Sequence, residues 1–91
     1  MKTYLISYDL GSPETILDYN KIFGAIKSHV GYAKVLKSVW IVKTNRTRQQ
    51  VHAIIRNVCD YNDKVLIIEV TNDWICSGIP DNVTDWMKRN I

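Results

Sequence analysis

Between residues 2 and 70 the spacing of apolar residues runs alternate, helical, alternate, alternate, helical, alternate, and that order leaves few folds open. Residues 2 to 9 alternate, with Tyr4, Ile6 and Tyr8 on one face and Leu5, Ser7 and Asp9 on the other. "GSPE" then reads as turn and helix start. Ser12 is the expected N-cap and Pro13 the first helical residue, followed by Ile16, Tyr19, Phe23, Ile26 and Val30 along one side until Gly31 stops the helix. "YAKVLKSVWIVKT" reads as two strands in tight succession, bending near Lys37. Thr47 and Gln50 form a capping box that opens a second helix, with Val51, Ile54, Ile55 and Val58 as its stripe. After the turn "YND", "KVLIIEVT" is apolar without interruption, as expected of a central strand or one covered on both faces.

This order predicts an α+β, ferredoxin-like βαββαβ sandwich, with two helices on one face of a four-stranded antiparallel sheet. Residues 1–71 form that core. Residues 72–91 form a C-terminal extension with Trp74, Pro80 and a short helix from Asp81 that carries Val83, Trp86 and Met87 on one side. If Ile6, Val39, Ile41, Leu66, Ile68 and Val70 face the helices, alternation leaves Leu5, Trp40, Val42, Val65 and Ile67 on the open face. A patch so apolar needs a cover. A second subunit packed sheet against sheet is the expectation, with Leu5, Trp40, Val42 and Ile67 at the interface; the chain's own tail is the alternative.

A chain of 91 residues makes one small domain, and 46% hydrophobic with 23% charged residues is an ordinary globular composition. No segment has the regions of a signal peptide or the roughly 20 apolar residues of a membrane span, so a cytoplasmic protein without a membrane partner is expected. Cys59 and Cys76 lie outside any C-x-x-C pair and read as free thiols. No Gly-rich phosphate loop or dinucleotide fingerprint occurs, which removes the nucleotide-cofactor enzymes. His29 and His52 are expected at the surface, and Ser7 and Ser38 have no activating base in view. Tyr4, Tyr8 and Trp40 are placed in the core or an interface in preference to base stacking.

The net charge is +3 and the pI about 9.0, but the distribution says more than the total. Eight basic residues, Lys21, Lys27, Lys34, Lys37, Lys43, Arg46, Arg48 and Arg56, lie between Tyr19 and Cys59 with no Asp or Glu among them, whereas six of the nine acids lie from Asp60 onward. Two readings follow. Lys34, Lys37, Lys43, Arg46 and Arg48 form a ridge for the phosphates of DNA or RNA, helped by the second helix's N-terminus; or the basic middle pairs with the acidic C-terminal third.

"YDL" at the end of the first strand, "GYAKVLKSVW", the T-x-x-Q helix start and "DKVLIIEV" together resemble the small CRISPR-associated proteins of the Cas-two type. The resemblance spans residues 3 to 71 and is strongest to the family's SinR-like relatives from mobile elements and chromosomes; the virulence-associated protein D toxins are more distant kin. The family pattern G-x-x-(Arg)-V-Q-x-S-V-F is matched by Gly31, Lys34, Val35, Leu36, Ser38, Val39 and Trp40. Lys34, Leu36 and Trp40 replace the family's Arg, Gln and Phe. The resemblance implies a ferredoxin-like homodimer. It also implies that Asp9 occupies the position of a metal-binding aspartate, in a family described both as metal-dependent nucleases and as non-catalytic scaffolds holding DNA for an integrase.

Asp9 therefore has two candidate roles. As a catalytic metal ligand it would hold Mg²⁺ or Mn²⁺ with its symmetry mate, activating water against a phosphodiester. As a cap it would only close the turn after the first strand. Asp63 is expected near Asp9, and Glu69 at the far end of the sheet. The function expected is a nucleic-acid-binding or scaffolding homodimer of a phage, mobile element or defence system, with possible partner proteins; the alternative is a metal-dependent endonuclease acting through Asp9.

Overall fold

The computed structural model describes residues 1–91. Strand β1 (Lys2–Asp9), helix α1 (Ile16–Ile26), strands β2 (Gly31–Leu36) and β3 (Val39–Thr44), helix α2 (Arg48–Arg56), strand β4 (Lys64–Glu69) and helix α3 (Asp81–Asn90) follow in that order. The strands form one antiparallel sheet in the order β2-β3-β1-β4, with α1 and α2 over one face. This is the ferredoxin-like arrangement that the order of periodicities predicts.

Both helices begin with a capping box, a side chain and a backbone N–H satisfying one another across the first turn. On α2 the pair is Thr47 and Gln50, as expected. On α1 it is Thr15 and Asp18, so the helix starts at Ile16, later than the expected Ser12–Pro13 start. The expected stripe is buried only in its middle, with Tyr19 and Phe23 half-buried. Ile22 and Ile26 are buried, while Ile16, the first helical residue, is 80% exposed and Val30, which lies beyond the end of α1, is 68% exposed.

The core joins Tyr4, Ile6 and Tyr8 of β1 and Trp40 and Val42 of β3 to Ile22, Ile26, Val51 and Ile55 of the helices, with Val65 and Ile67 of β4 packed alongside. Register explains the selection. Ile6 lies opposite both Trp40 and Ile67, and Tyr4 opposite Val42. Directly opposed residues share a face of the sheet, so burying Ile6 under the helices buries Trp40, Val42 and Ile67 with it. These three were expected on the open face; they lie on the helix face, and of the four expected interface residues only Leu5 is on the open side. Strand β3 is apolar on both faces, so alternation alone leaves its phase undecided. The Trp40 indole N–H, donating to the Tyr8 hydroxyl at 3.3 Å, accompanies the phase adopted.

The open face consequently carries Leu5, Val39, Ile41, Leu66 and Ile68. Helix α3 folds back over its β2–β3 half: Ile41 is 4% and Met87 5% exposed. Gly31 lets Trp86 pack close, since a Cβ there would lie 3.3 Å from its Cζ2 and the indole would have to shift slightly. Between the tail and the sheet runs an apolar groove of about 370 Å³ that Leu5, Val39, Ile41, Trp74 and Ile79 help to line. The other half is bare. Strand β4, expected to be central or covered on both faces, is an edge strand bare on one face, with Leu66 and Ile68 54% and 48% exposed.

Candidate functional site

The loop Asn45–Thr47 joins β3 to α2 at the end of the sheet where β1 begins, since Lys2 lies opposite Thr44. A wide cleft of about 550 Å³ opens there, lined by Lys2, Tyr4, Thr44, Arg46, Arg48 and Glu69 among others. The first turn of α2 borders it, and its N–H groups add partial positive charge to the basic side chains. Lys2 pairs with Glu69 at 3.3 Å, which confirms that Glu69 lies far from Asp9. Arg48 has no carboxylate partner.

Arg46 lines this cleft with its guanidinium anchored on the α1 side. Its guanidinium donates to Nδ1 of His29 at 3.1 Å and to the Ser28 hydroxyl at 3.4 Å, just past the C-terminal end of α1. The Tyr4 hydroxyl donates to its carbonyl, and its own N–H donates to the Thr44 hydroxyl. His29, expected at the surface, is only 6% exposed. A guanidinium can only donate, so Nδ1 is the acceptor and the ring proton sits on Nε2. That nitrogen is buried without a hydrogen-bond partner. Burial first, and then the neighbouring Arg46 charge, push the imidazole pKa below its ordinary 6.5.

The remaining basic candidates do not assemble into one ridge. Lys43 lies on the open face beneath α3, its Nζ 3.5 Å from Oδ1 of Asn90. Lys37 is in the β2–β3 turn at the opposite end of the sheet, next to Ser38, whose carbonyl accepts from the Tyr8 N–H. Lys34 is on the helix side of β2, opposite Trp40. All eight basic residues of the acid-free stretch nevertheless share one property: none forms an ion pair, the only one in the chain being Lys2–Glu69.

Asp9 ends β1 opposite Lys64 and is exposed. It lies seven residues along β1 from Lys2, hence about 23 Å from the basic cleft at 3.3 Å per residue. Its carboxylate accepts no hydrogen bond from any turn. Asp63 does that work: its two carboxylate oxygens accept from the N–H groups of Gly11 and Asp60, both at 2.7 Å. Gly11 has no room for a side chain, since a Cβ would collide with the Asn62 amide. Asp63 is near Asp9 as expected, but both its oxygens are already engaged. No group of three or more His, Cys, Asp and Glu side chains gathers anywhere in the chain to hold a metal ion. One free carboxylate does not fit a Mg²⁺ or Mn²⁺ centre within a single subunit, and no catalytic step is assigned to it.

Tyr19 lies near this end, its hydroxyl pKa raised by partial burial first, then by Glu14 and more weakly by Asp9. Cys59 and Cys76 are free thiols. No helix is long and apolar enough to cross a membrane.

No protein-family model and no curated protein matches the sequence. Among solved structures, the chain is similar to a hypothetical protein from Thermus thermophilus with a TM-score of 0.65 and 21% identity, over 87% of this chain and 94% of that one. At that identity the likeness concerns the fold.

Proposed function

We propose that this chain is a Cas-two-like homodimeric module that binds nucleic acid through its phosphates and holds it without cutting it. The observation that carries the reading is the state of the acid-free stretch. Its Lys and Arg residues make no ion pairs with the acidic tail, so no carboxylate neutralises their charge, although the Arg46 and Arg56 guanidinium groups also make hydrogen bonds within the fold. The Arg48 side chain and the first turn of α2 at the cleft supply the donors a phosphate would meet. The bare half of the open sheet face, with Leu66 and Ile68, supports a second copy as its cover and would bring two basic ends into one particle. The sequence resemblance adds the setting: a scaffold of a phage, another mobile element or a defence system.

The test is a salt titration of duplex and single-strand binding. Replacing Arg46 and Arg48 by Ala should weaken binding and reduce the slope of log K against log salt by about one to two, with sequence preference unchanged. Equal binding by the double variant, or none by the wild type at low salt, refutes the proposal.

A further inference from the structure

Strand β2 alternates so that Tyr32 and Lys34 point to the helix side of the sheet, beside Val42 and Trp40 of β3. Helix α1 packs on β3 through Phe23 and leaves Tyr32 and Lys34 of the outer strand exposed. Phe23 meets Trp40 at 5.5 Å between ring centroids, and Trp40 is buried; Tyr32, 6.3 Å further out from Trp40, is 40% exposed. With Tyr19 at 6.1 Å from Phe23, four rings run in sequence from α1 to the edge of the sheet. Two cations lie on them. Lys34 Nζ sits 5.1 Å from the Phe23 ring centroid and Lys27 Nζ 6.0 Å from the Trp40 ring.

We infer that this seam is a stacking site for a base of single-stranded nucleic acid, with Tyr32 as the platform and Lys27 and Lys34, on the neighbouring rings, as the phosphate contacts. A lysine stem can cover an aromatic ring merely to shield it from water. Three features favour a ligand here. Tyr32 keeps an accessible ring and its hydroxyl has no hydrogen-bond partner in the fold. Neither Lys27 nor Lys34 has a carboxylate in reach. Both cations are already gathered at the aromatic surface, which is the pairing of π-face and positive charge that single-strand binders use, and a duplex with its bases stacked inside cannot use the ring.

The inference rests on the nucleic-acid reading above, and one experiment separates the two. A short fluorescein-labelled oligothymidylate and a duplex of the same length are titrated against wild type, Tyr32→Leu, Tyr32→Phe and Lys34→Gln over a range of salt. Stacking is not a counterion effect, so Tyr32→Leu should weaken single-strand binding roughly five- to 150-fold at every salt concentration without changing the slope. Duplex binding by this variant should be unchanged, and Tyr32→Phe should bind as wild type. Lys34→Gln should lower the single-strand slope by about 0.7. If Tyr32→Leu binds the oligothymidylate as wild type does, or loses duplex binding equally, the stacking site is refuted while phosphate binding at the cleft stands. If wild type binds neither probe, both fall. Unchanged circular dichroism and melting of Tyr32→Leu show that the loss is not one of folding.

Discussion

Truncating Trp40 to Ala tests the phase of the sheet, on which every statement about its two faces depends. The indole is 6% exposed and in contact with Phe23 and Tyr32. Removing a buried Trp costs about 3–5 kcal/mol in lost transfer energy and cavity. The Tyr8 hydroxyl, in a residue 5% exposed, loses its only donor, which adds about 1 kcal/mol or more. The sum, about 4–6 kcal/mol, is a large part of the roughly 5–14 kcal/mol expected for a domain of this length. Urea unfolding followed by far-ultraviolet circular dichroism, at one low protein concentration, is the assay. With slopes of about 1–3 kcal/mol per M for small proteins, the midpoint should fall by at least about 1 M. Leu66→Lys is the control on the opposite face. It should leave the single chain within about 0.5 kcal/mol of wild type and convert a dimer to a monomer in light scattering. A Trp40→Ala loss below about 1 kcal/mol would place the indole outside the core and reverse the faces.

Acidification should weaken the fold through His29. Its pKa in the folded chain lies below the unfolded value of about 6.5, so between the two the unfolded chain carries more protons; the stability is fully present above about pH 6.5 and is lost as pH falls through the folded pKa. Melting temperatures from about pH 7 to about pH 5 should therefore decline, less steeply in His29→Gln, and equal slopes would remove His29 as the cause. Asp63→Ala should cost about 1.5–3 kcal/mol by releasing the Gly11 and Asp60 N–H groups, whereas Asp9→Ala should change stability by no more than about 0.5 kcal/mol. Thermal melts that rank the two in the opposite order would contradict this assignment of the turn.

The fold was legible in the sequence because its signals are local. The Thr47–Gln50 box and the alternation of β1 each declare themselves within a few residues. What escaped depends on pairing across distance. Val39 to Val42 carry apolar side chains on both faces, and only the register against Ile6 decides that Trp40 goes inward. The edge position of β4 likewise follows from topology, not from the composition of "KVLIIE". At the site, the sequence drew attention to Asp9, but the carboxylate that closes the turn is Asp63, chosen by the approach of two loops separated by 52 positions. His29 was misplaced for a similar reason: it lies past the end of α1, where helical spacing has stopped and the packing of Thr44 and Arg46 takes over. A local signal did exist for the stacking seam, since Tyr32 and Lys34 are two apart on one strand and so share a face.

The single ion pair has a consequence for how such a chain can change. Lys2 and Glu69 are 59% and 51% exposed, and a pair so placed contributes at most about 1 kcal/mol. Thermal stability should consequently be almost indifferent to ionic strength. Most of the chain's cations are not tied to its carboxylates, and substitutions at those that make no hydrogen bond or ring contact in the fold, such as Lys21, Lys37 and Arg48, alter the electric field around the molecule while leaving the interior as it was. A lineage descending from this sequence can thus retune its attraction to a polyanion one surface residue at a time, under little restraint from folding.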